Sequence, residues 1–381
     1  MPVHPIQVTH VGSLPRGDEL TPLLLAKDHG KPFEAAEFDA KVQAAVDGAV
    51  KRQVAAGVTI VSDGELGKVG YSTYITERLE GFGSAHIERK PALDLAPHPA
   101  LVKKLAGIMG RQEFVRAACV APVRLKTLEP AQADVRRFRT ALDRHGKGVR
   151  AFMNAASPGL VTAFQPNKFY PTHEAYLADL VQAMRPEYEA IVGAGFDLQL
   201  DCPDLAMSRH TGYQDLDETS FLAVIEANVE ALNAATAKIP ADRMRLHICW
   251  GNYEGPHDHD IPLQRILPVV LKARPATILF EAANPRHEHE WIVWRDARLP
   301  ADKILAPGMI DTCSNYVEHP ELIAQRLERY IAIVGPERVV ASTDCGFGTF
   351  AGYGKIDPGV CWKKLAVLRE GADIAASRLR K

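Results

Sequence analysis

The segment RLHICWGNYEG, residues 245–255, places a histidine and a cysteine two positions apart where an apolar run ends. Side chains alternate along a strand, so His247 and Cys249 would point the same way, about 6.6 Å apart along the strand. Imidazole nitrogen and thiolate sulfur are both zinc ligands, whereas thiolates disfavour magnesium and calcium. A single His-x-Cys motif in a strand is more often part of the packed core than of a metal site. Its interpretation therefore depends on which other side chains lie beside it in the fold.

Two further groups, Glu281 and Cys345, stand near the ends of later apolar runs. A carboxylate oxygen and a second sulfur would complete a tetrahedral zinc site with the first pair. Taken singly, Glu281 reads as a salt-bridged carboxylate and Cys345 as a core thiol. The joint pattern, at matching strand ends, favours a zinc site.

The elements that would position these residues follow from alternating strand and helix patterns. Between the apolar runs, as in 176–195 and 221–239, apolar residues recur every three or four positions, the spacing of an amphipathic helix. Such alternation implies parallel strands with helical crossovers. The predicted strands are 6–12, 58–65, 149–157, 196–203, 244–250, 277–284, 304–311 and 338–346.

Eight strand–helix units in 381 residues predict an α/β fold, namely a (β/α)8 TIM barrel that forms a single domain over residues 1–381. A further strand at 114–122, together with 81–93, predicts a β-hairpin inserted before the third barrel strand. An open doubly wound sheet is the alternative, but no G-x-G-x-x-G follows the first strand, which disfavours it.

In such a barrel the reactive groups lie at the carboxyl ends of the strands. Polar and metal-binding residues stand at most of the predicted strand ends, so one rim would carry the chemistry. They are His10, Gly12, Ser13, Asp63, Glu65, Asp201, His247, Cys249, Glu281, Asp311, Asp344 and Cys345.

The composition narrows the class of protein. The net charge of −2 gives no broad basic field, so neither nucleic acid nor an anionic membrane is an expected partner. The six cysteines are sparse and widely spaced, which argues against a disulfide framework. The sequence has neither a signal-peptide pattern at its start nor an apolar run of roughly 20 residues, so we expect a cytoplasmic protein. A homo-oligomer is compatible with the sequence.

Six segments carry a resemblance to a known family. In chain order they are THVGSLP, VSDGELGKVGYSTYITERLEGF, LQLDCPDLAM, HICWGN, FEAANP and STDCGFGTF. They resemble the motifs of the catalytic barrel of cobalamin-independent methionine synthases, and the resemblance extends over nearly the whole chain. The same superfamily includes the epoxyalkane:coenzyme M transferases and the uroporphyrinogen decarboxylase-like barrels.

The resemblance implies a (β/α)8 barrel whose zinc is held by His247, Cys249, Glu281 and Cys345. It also implies substrate-binding residues that contact the amino acid part of homocysteine. These residues are Val11, Gly12, Ser13, Glu65 and Asp201. The chain departs from the family at Cys202, where the motif has glutamate, and it has no match for the folate-stacking tryptophan after the third strand. These departures argue against methyltetrahydrofolate as the donor.

Such a zinc ion would be a weak Lewis acid toward water but would bind an incoming thiol as its nucleophilic thiolate. The predicted function is therefore zinc-dependent thiol alkyl transfer, in which a small thiol such as homocysteine attacks a methyl or other alkyl donor. Two alternatives stay open. One is a lyase that adds a thiol such as coenzyme M to an epoxide, and the other is a non-enzymatic barrel stabilised by zinc.

Several further charged residues have open interpretations. His257 and His259 are candidate general acids for a leaving group, or part of a second metal site, or members of a solvated loop. Arg286, His287 and His289 would bind an anion or cap the next helix. Asp344 would orient a ligand or cap a turn. For the candidate anion binders Arg16 and Lys68, a solvated surface position is the favoured interpretation.

Overall fold

The computed structural model describes residues 6–87, 90–109 and 115–379. The strands are β1 (Gln7–Val8), β2 (Ile60–Ser62), β3 (Leu79–Gly83), β4 (Ala118–Leu125), β5 (Arg150–Ala156), β6 (Asp197–Asp201), β7 (Met244–His247), β8 (Thr277–Phe280), β9 (Ile304–Ile310) and β10 (Val340–Thr343). The helices are α1 (Thr21–Asp28), α2 (Ala35–Ala55), α3 (Ile75–Arg78), α4 (Pro99–Met109), α5 (Glu129–His145), α6 (Pro158–Phe164), α7 (His173–Gly193), α8 (Ser208–Thr211), α9 (Glu218–Ala235), α10 (Leu263–Val270), α11 (Trp291–Asp296), α12 (Pro320–Val334) and α13 (Pro358–Arg378).

Eight parallel strands form the central sheet in the order β1-β10-β9-β8-β7-β6-β5-β2. The sheet closes where the backbone N–H of Thr59 donates to the carbonyl of Val8 at 2.9 Å and the hydroxyl of Thr59 accepts from the N–H of Val8 at 2.8 Å. We call this contact the seam. The prediction of a (β/α)8 barrel is confirmed.

The crossover helices pack an apolar face on the barrel, and several of them begin at side-chain caps. The hydroxyl of Thr172 accepts from the third residue of α7, and Asp217 does the same for α9. Such caps satisfy backbone donors that have no partner within the helix. Among the described residues, no helix has the length and apolar character needed to cross a membrane.

The inserted hairpin is formed by β3 and β4, which pair in antiparallel orientation before β5, the third barrel strand. Its position is confirmed, but β4 starts four residues later than predicted and continues through Pro122 to Leu125. A two-stranded ribbon tolerates this proline because an edge strand needs no ladder bond from every residue. Residues 88–89 and 110–114 of the predicted hairpin lie outside the described residues.

Most barrel strands are shorter than predicted at their carboxyl ends. β1 ends at Val8 and β7 at His247, so Ser13, Glu65 and Cys249 lie in the loops that follow strands. Hydrogen bonds from backbone groups as well as from side chains fix the backbone of these loops. The rim that carries the polar residues is therefore built from loops on top of a strand scaffold.

Candidate active site

The candidate active site is a cluster of two thiols and an imidazole at the mouth of the barrel. His247 ends β7, Cys249 follows it by two residues, and Cys345 lies two residues beyond β10. The two sulfurs are 3.8 Å apart, and donor atoms of all three buried side chains lie within 4.8 Å of one another. The structure thus brings together three of the four residues predicted to bind zinc.

The two sulfurs share a hydrogen bond that makes their ionisation unequal. It lowers the pKa of Cys249 and raises the pKa of Cys345 well above its usual value. The N–H of Gly251 donates to the sulfur of Cys249 at 3.3 Å. The pair therefore holds one negative charge more readily than two, and a cation is needed before both sulfurs ionise. This behaviour fits a metal with thiolate ligands, since such a metal displaces thiol protons on binding.

Asp201 lies behind His247 and fixes the orientation of its ring. The two residues are paired across β6 and β7, with Oδ1 of Asp201 3.5 Å from Nδ1 of His247. Asn154 and Gln199 donate to the same carboxylate at 3.0 and 3.1 Å. Burial opposes protonation of His247, but the bond to Asp201 outweighs it and raises the pKa. A carboxylate in this position is the usual support of a metal-binding histidine.

Glu281, the fourth predicted ligand, lies outside the 4.8 Å group formed by the described residues. One of its oxygens accepts from the N–H of Trp250 at 2.9 Å, and the other accepts from Asn284 at 2.7 Å and pairs with Arg286. Burial opposes its ionisation, but the charges of Arg286 and His287 outweigh this and lower the pKa of Glu281. A charged carboxylate is thus held beside the thiols by other partners.

A small cavity of about 50 Å³ borders the cluster. Its lining consists of Val11, Ser13, Glu65, Tyr71, Asp201, Pro203, Met207, His247, Cys249, Asn252, Cys345, Gly346 and Thr349. Four of the five residues predicted to bind the substrate are among them.

Gly12, the fifth of these residues, shapes the turn instead of lining the cavity. Its φ of 144° lies in a region that favours glycine. A Cβ at this position would come 2.2 Å from the amide oxygen of Asn154. Asn154 donates to Asp201, which holds the ring of His247. The absence of a side chain at Gly12 therefore allows the loop after β1 to pack against Asn154.

Glu65 is the most unusual residue of the cavity. It has a φ of 55°, its Oε2 is buried without a hydrogen-bond partner, and only 2% of its surface is exposed. Its own N–H donates to Asp63 at 3.0 Å, which holds the turn. Burial raises the pKa of Glu65 to about 7, although the charge of Lys68 opposes the shift. The carboxylate is therefore ready for a cationic partner from outside the chain.

Tyr71 lines the cavity, yet its sequence context gave no reason to single it out. Its ring contacts those of Phe164 and Phe350 at 5.5 and 5.2 Å. Burial raises the pKa of the Tyr71 hydroxyl well above its usual value, so the group stays protonated. The residue belongs to the second quoted motif, but only the fold shows that this part of the motif reaches the thiols.

The loop histidines occupy two different environments, and neither lines the cavity. His257 is buried, with Nδ1 3.0 Å from Asp260 and Nε2 3.1 Å from the carbonyl of Tyr253. His259 is exposed and lies beside Asp258 at 3.1 Å. We therefore assign neither histidine a role in proton transfer to a leaving group.

The expectation that Arg16 and Lys68 are solvated is wrong. Lys68 is buried, and its ammonium donates to the carbonyl of Asn154 at 2.6 Å. The guanidinium of Arg16 donates to the carbonyls of Glu65 and Lys68 at 3.1 and 2.9 Å. Both cations satisfy backbone oxygens of the site loops, which local sequence does not reveal.

Asp344 caps the loop that follows β8. Its two oxygens accept from the backbone N–H groups of Ala282, Ala283 and Asn284 at 2.8 to 3.0 Å. The side-chain amide of Asn284 also donates to both Asp344 and Glu281, at 2.8 and 2.7 Å, so the contacts of Asp344 fit the interpretation that it orients a proposed ligand as well as a capping role. The loop that carries Glu281 is thereby tied to the residue preceding Cys345.

Known proteins are similar to this chain in sequence and in fold over nearly their whole length. A methionine synthase from Thermococcus kodakarensis is 24% identical over 391 aligned positions, which cover 100% of this chain and 96% of the relative. One from Saccharolobus solfataricus is 21% identical, with coverages of 99% and 96%. The structure of a B12-independent methionine synthase from Shewanella sp. W3-18-1 in complex with selenomethionine has a TM-score of 0.70 at 18% identity and covers 99% of both chains.

No protein-family model matches the chain. The chain is instead similar in sequence, along nearly its whole length, to proteins named methionine synthase, and its fold matches that of a B12-independent methionine synthase.

Proposed function

We propose that the protein transfers a methyl group to the sulfur of a small amino-thiol such as homocysteine. One observation carries this proposal: a single cavity places a pair of cysteines beside a buried carboxylate that has an unpartnered oxygen. The first group suits the thiol end of the substrate, and the second suits its ammonium group. Relatives named methionine synthase support the same reaction.

Zinc is the metal that the donor set fits, because thiolate sulfur and imidazole nitrogen are its usual ligands. Held by His247, Cys249 and Cys345, zinc would supply the positive charge that keeps a substrate thiol in its nucleophilic thiolate form. Glu281 is the proposed fourth ligand, and its ion pair with Arg286 keeps its charge beside the other three.

The chain's own residues bind and orient the substrate. In this proposal the carboxylate of Glu65 receives the ammonium group, and Ser13, on the same cavity wall, receives the carboxylate. Asp201 holds the ring of His247 in place from behind. The aromatic contacts of Tyr71 exclude water from the side of the cavity next to the sulfurs.

A groove of about 900 Å³ meets the cavity at Met207, which lines both. Residues from the segment between β3 and β4, such as Leu95 and Leu105, form part of its wall. We assign this groove to the methyl donor, since it has room for a molecule larger than the thiol and ends at the cavity wall.

Addition of the thiol to an epoxide has less support. That reaction needs a proton donor for the alkoxide, and the two histidines predicted for this task, His257 and His259, do not line the cavity. The protonated hydroxyl of Tyr71 is a poor acid because burial raises its pKa. Methyl transfer is therefore the better-supported reaction.

A panel of thiols and donors tests the proposal. The zinc-loaded protein is given homocysteine, 4-mercaptobutyrate or coenzyme M, each with 5-methyltetrahydrofolate, methylcobalamin or epoxypropane, and products are identified by mass spectrometry. We expect methionine from homocysteine with a methyl donor, and a far lower rate with 4-mercaptobutyrate, which lacks only the amine. Epoxide adducts as the sole products, or equal rates for these two thiols, would contradict the proposal.

A further inference from the structure

A second group of metal-binding side chains lies outside the cavity. We define the histidine cluster as His210, His257, Asp260 and His287. His210 belongs to α8, and the others lie in the loops after β7 and β8. The carboxylate of Asp260 is at the centre, 3.3 Å from Nδ1 of His210, 3.0 Å from Nδ1 of His257 and 3.1 Å from Nε2 of His287. Donor atoms of His210, His257 and Asp260 all lie within 4.8 Å of one another.

Each imidazole of the cluster turns its other nitrogen toward an oxygen. Nε2 of His257 lies 3.1 Å from the carbonyl of Tyr253, and Nε2 of His210 lies 3.2 Å from the hydroxyl of the same tyrosine. Nδ1 of His287 lies 2.8 Å from Glu290. Histidines that bind metals almost always donate their outer N–H to a carboxylate, a carbonyl or a water in this way.

The outer nitrogens of two of the rings face oxygens that can accept a hydrogen bond from them. The carbonyl of Tyr253 only accepts, so Nε2 of His257 is the donor in this contact. The hydroxyl of Tyr253 donates to Asp94 at 2.7 Å, so His210 also donates from Nε2. Nδ1 of His210 has no hydrogen-bond partner although the side chain is fully buried.

His287 has a different task. Its two ring nitrogens lie between the carboxylates of Asp260 and Glu290, at 3.1 and 2.8 Å. Its contact, and that of Arg286 at 3.9 Å, are made with Oδ2 of Asp260. Oδ1, the oxygen that faces His210, stays available as a ligand.

We propose that His210, His257 and Asp260 bind a second divalent metal ion, such as zinc or iron(II). Two imidazoles and a carboxylate suit such ions, and without a thiolate this set differs from the first centre. The ion would brace the loop 251–262, because Tyr253 contacts both histidines and lines the groove beside the cavity. The inference does not rest on the proposed reaction, since none of these three ligands lines the cavity.

The test is the metal content of the untagged chain after equilibration with zinc and gel filtration. We expect two zinc ions per chain in the unmodified protein and one in the His210→Gln/His257→Gln variant. The Cys249→Ala/Cys345→Ala variant should also keep one. His259→Gln, which changes an exposed histidine of the same loop, should keep two. Circular dichroism verifies that each variant is folded, and Asp260→Asn replaces the histidine variant if that one does not fold.

Two patterns separate this inference from the first centre. A single zinc ion that survives the histidine substitutions but is lost with the cysteines would overturn the inference and leave the first centre standing. A single zinc ion that is lost with the histidine substitutions but kept in the cysteine variant would uphold the inference. It would also show that zinc takes no part in the proposed reaction. Cobalt gives a second readout: the cysteine variant should show ligand-field bands without intense sulfur-to-cobalt charge transfer. Absence of any cobalt bands in that variant would also overturn the inference.

Discussion

At the scale of the residue, Glu65 combines two features that do not help folding. Its left-handed backbone costs a residue other than glycine roughly 1–3 kcal/mol, and one of its oxygens is buried without a partner. The turn is imposed by Asp63 and Arg16, which bind its N–H and its carbonyl. Contacts in the surrounding loops offset this cost. A ligand that binds the unpartnered oxygen is the simplest explanation for the two unfavourable features.

Glu65→Gln keeps the shape of the side chain and removes its charge. We expect KM for homocysteine to rise about 10- to 100-fold, since a hydrogen bond to a charged group is worth roughly 1.5–3 kcal/mol. KM for 4-mercaptobutyrate, which has no ammonium group, should not change. Steady-state kinetics with both thiols give the answer, and an equal rise for the two would show that the residue only supports the fold.

The stability of the protein should depend on pH through the same residue. Burial raises the pKa of Glu65 from 4.5 to about 7 on folding, so the folded state binds the proton more tightly. The stability that this provides is fully present below the unfolded value and is lost as the pH rises through about 7. The loss is at most about 3 kcal/mol. Urea unfolding at pH 5 and 8 should show a smaller difference for Glu65→Gln than for the unmodified protein.

Asp201→Asn tests whether this residue acts through His247. Loss of the carboxylate behind the ring should weaken zinc binding about 10- to 100-fold, as removal of such supports generally does. The measurement is competition with a chromophoric chelator. Asp258→Asn, which changes an exposed carboxylate, is the control and should leave the affinity unchanged. Equal zinc affinities of the unmodified protein, Asp201→Asn and Asp258→Asn would show that Asp201 contacts only the substrate.

At the scale of the element, the loop after β1 depends on the absence of a side chain at Gly12. Gly12→Ala would force a Cβ against Asn154 and displace the support of Asp201. We expect it to lower the free energy of unfolding by about 2–4 kcal/mol from overpacking and backbone strain combined, and to weaken zinc binding. Urea unfolding and zinc titration measure the two effects.

Gly148→Ala is the matched control for this substitution. Gly148 also has a positive φ, of 81°, but nothing lies within 4 Å of its added Cβ. It should therefore show the cost of the backbone conformation alone and leave zinc affinity unchanged. Equal losses of stability in the two variants would mean that the contact with Asn154 is unimportant.

The elements differ in how well the sequence predicts them. β5, β6 and β9 were anticipated within two residues at each end because they are apolar runs bounded by helices. The loops after β1, β2 and β7 were read as strand. Their conformation depends on distant partners, such as Arg16 for Glu65 and Asn154 for Gly12, and no local pattern encodes such contacts. The resemblance located the cysteines and Glu65, whereas burial of Lys68 and separation of Glu281 from the thiols needed the fold.

At the scale of the whole molecule, the barrel is closed by its weakest strand contact. Among the described residues, the seam has one backbone bond, from Thr59 to Val8, and side-chain bonds made by Thr59 and Thr9, whereas β5 and β6 are paired over five residues. Local opening is favoured where few bonds hold the backbone. Hydrogen exchange followed by mass spectrometry should therefore be faster in peptides covering 6–10 and 58–62 than in those covering 150–156 and 197–201. Uniform protection would indicate a seam as strong as the rest.

The cavity draws its lining from positions as far apart in the chain as Val11 and Thr349. A ribosome releasing this polypeptide from its amino end would therefore expose Glu65 and Cys249 long before Cys345 has been synthesised. Until residue 345 emerges, His247 and Cys249 have no second sulfur with which to share an ion. The proposed zinc site would accordingly be completed only after translation of nearly the entire barrel, and a nascent chain that stalls earlier would lack its second sulfur.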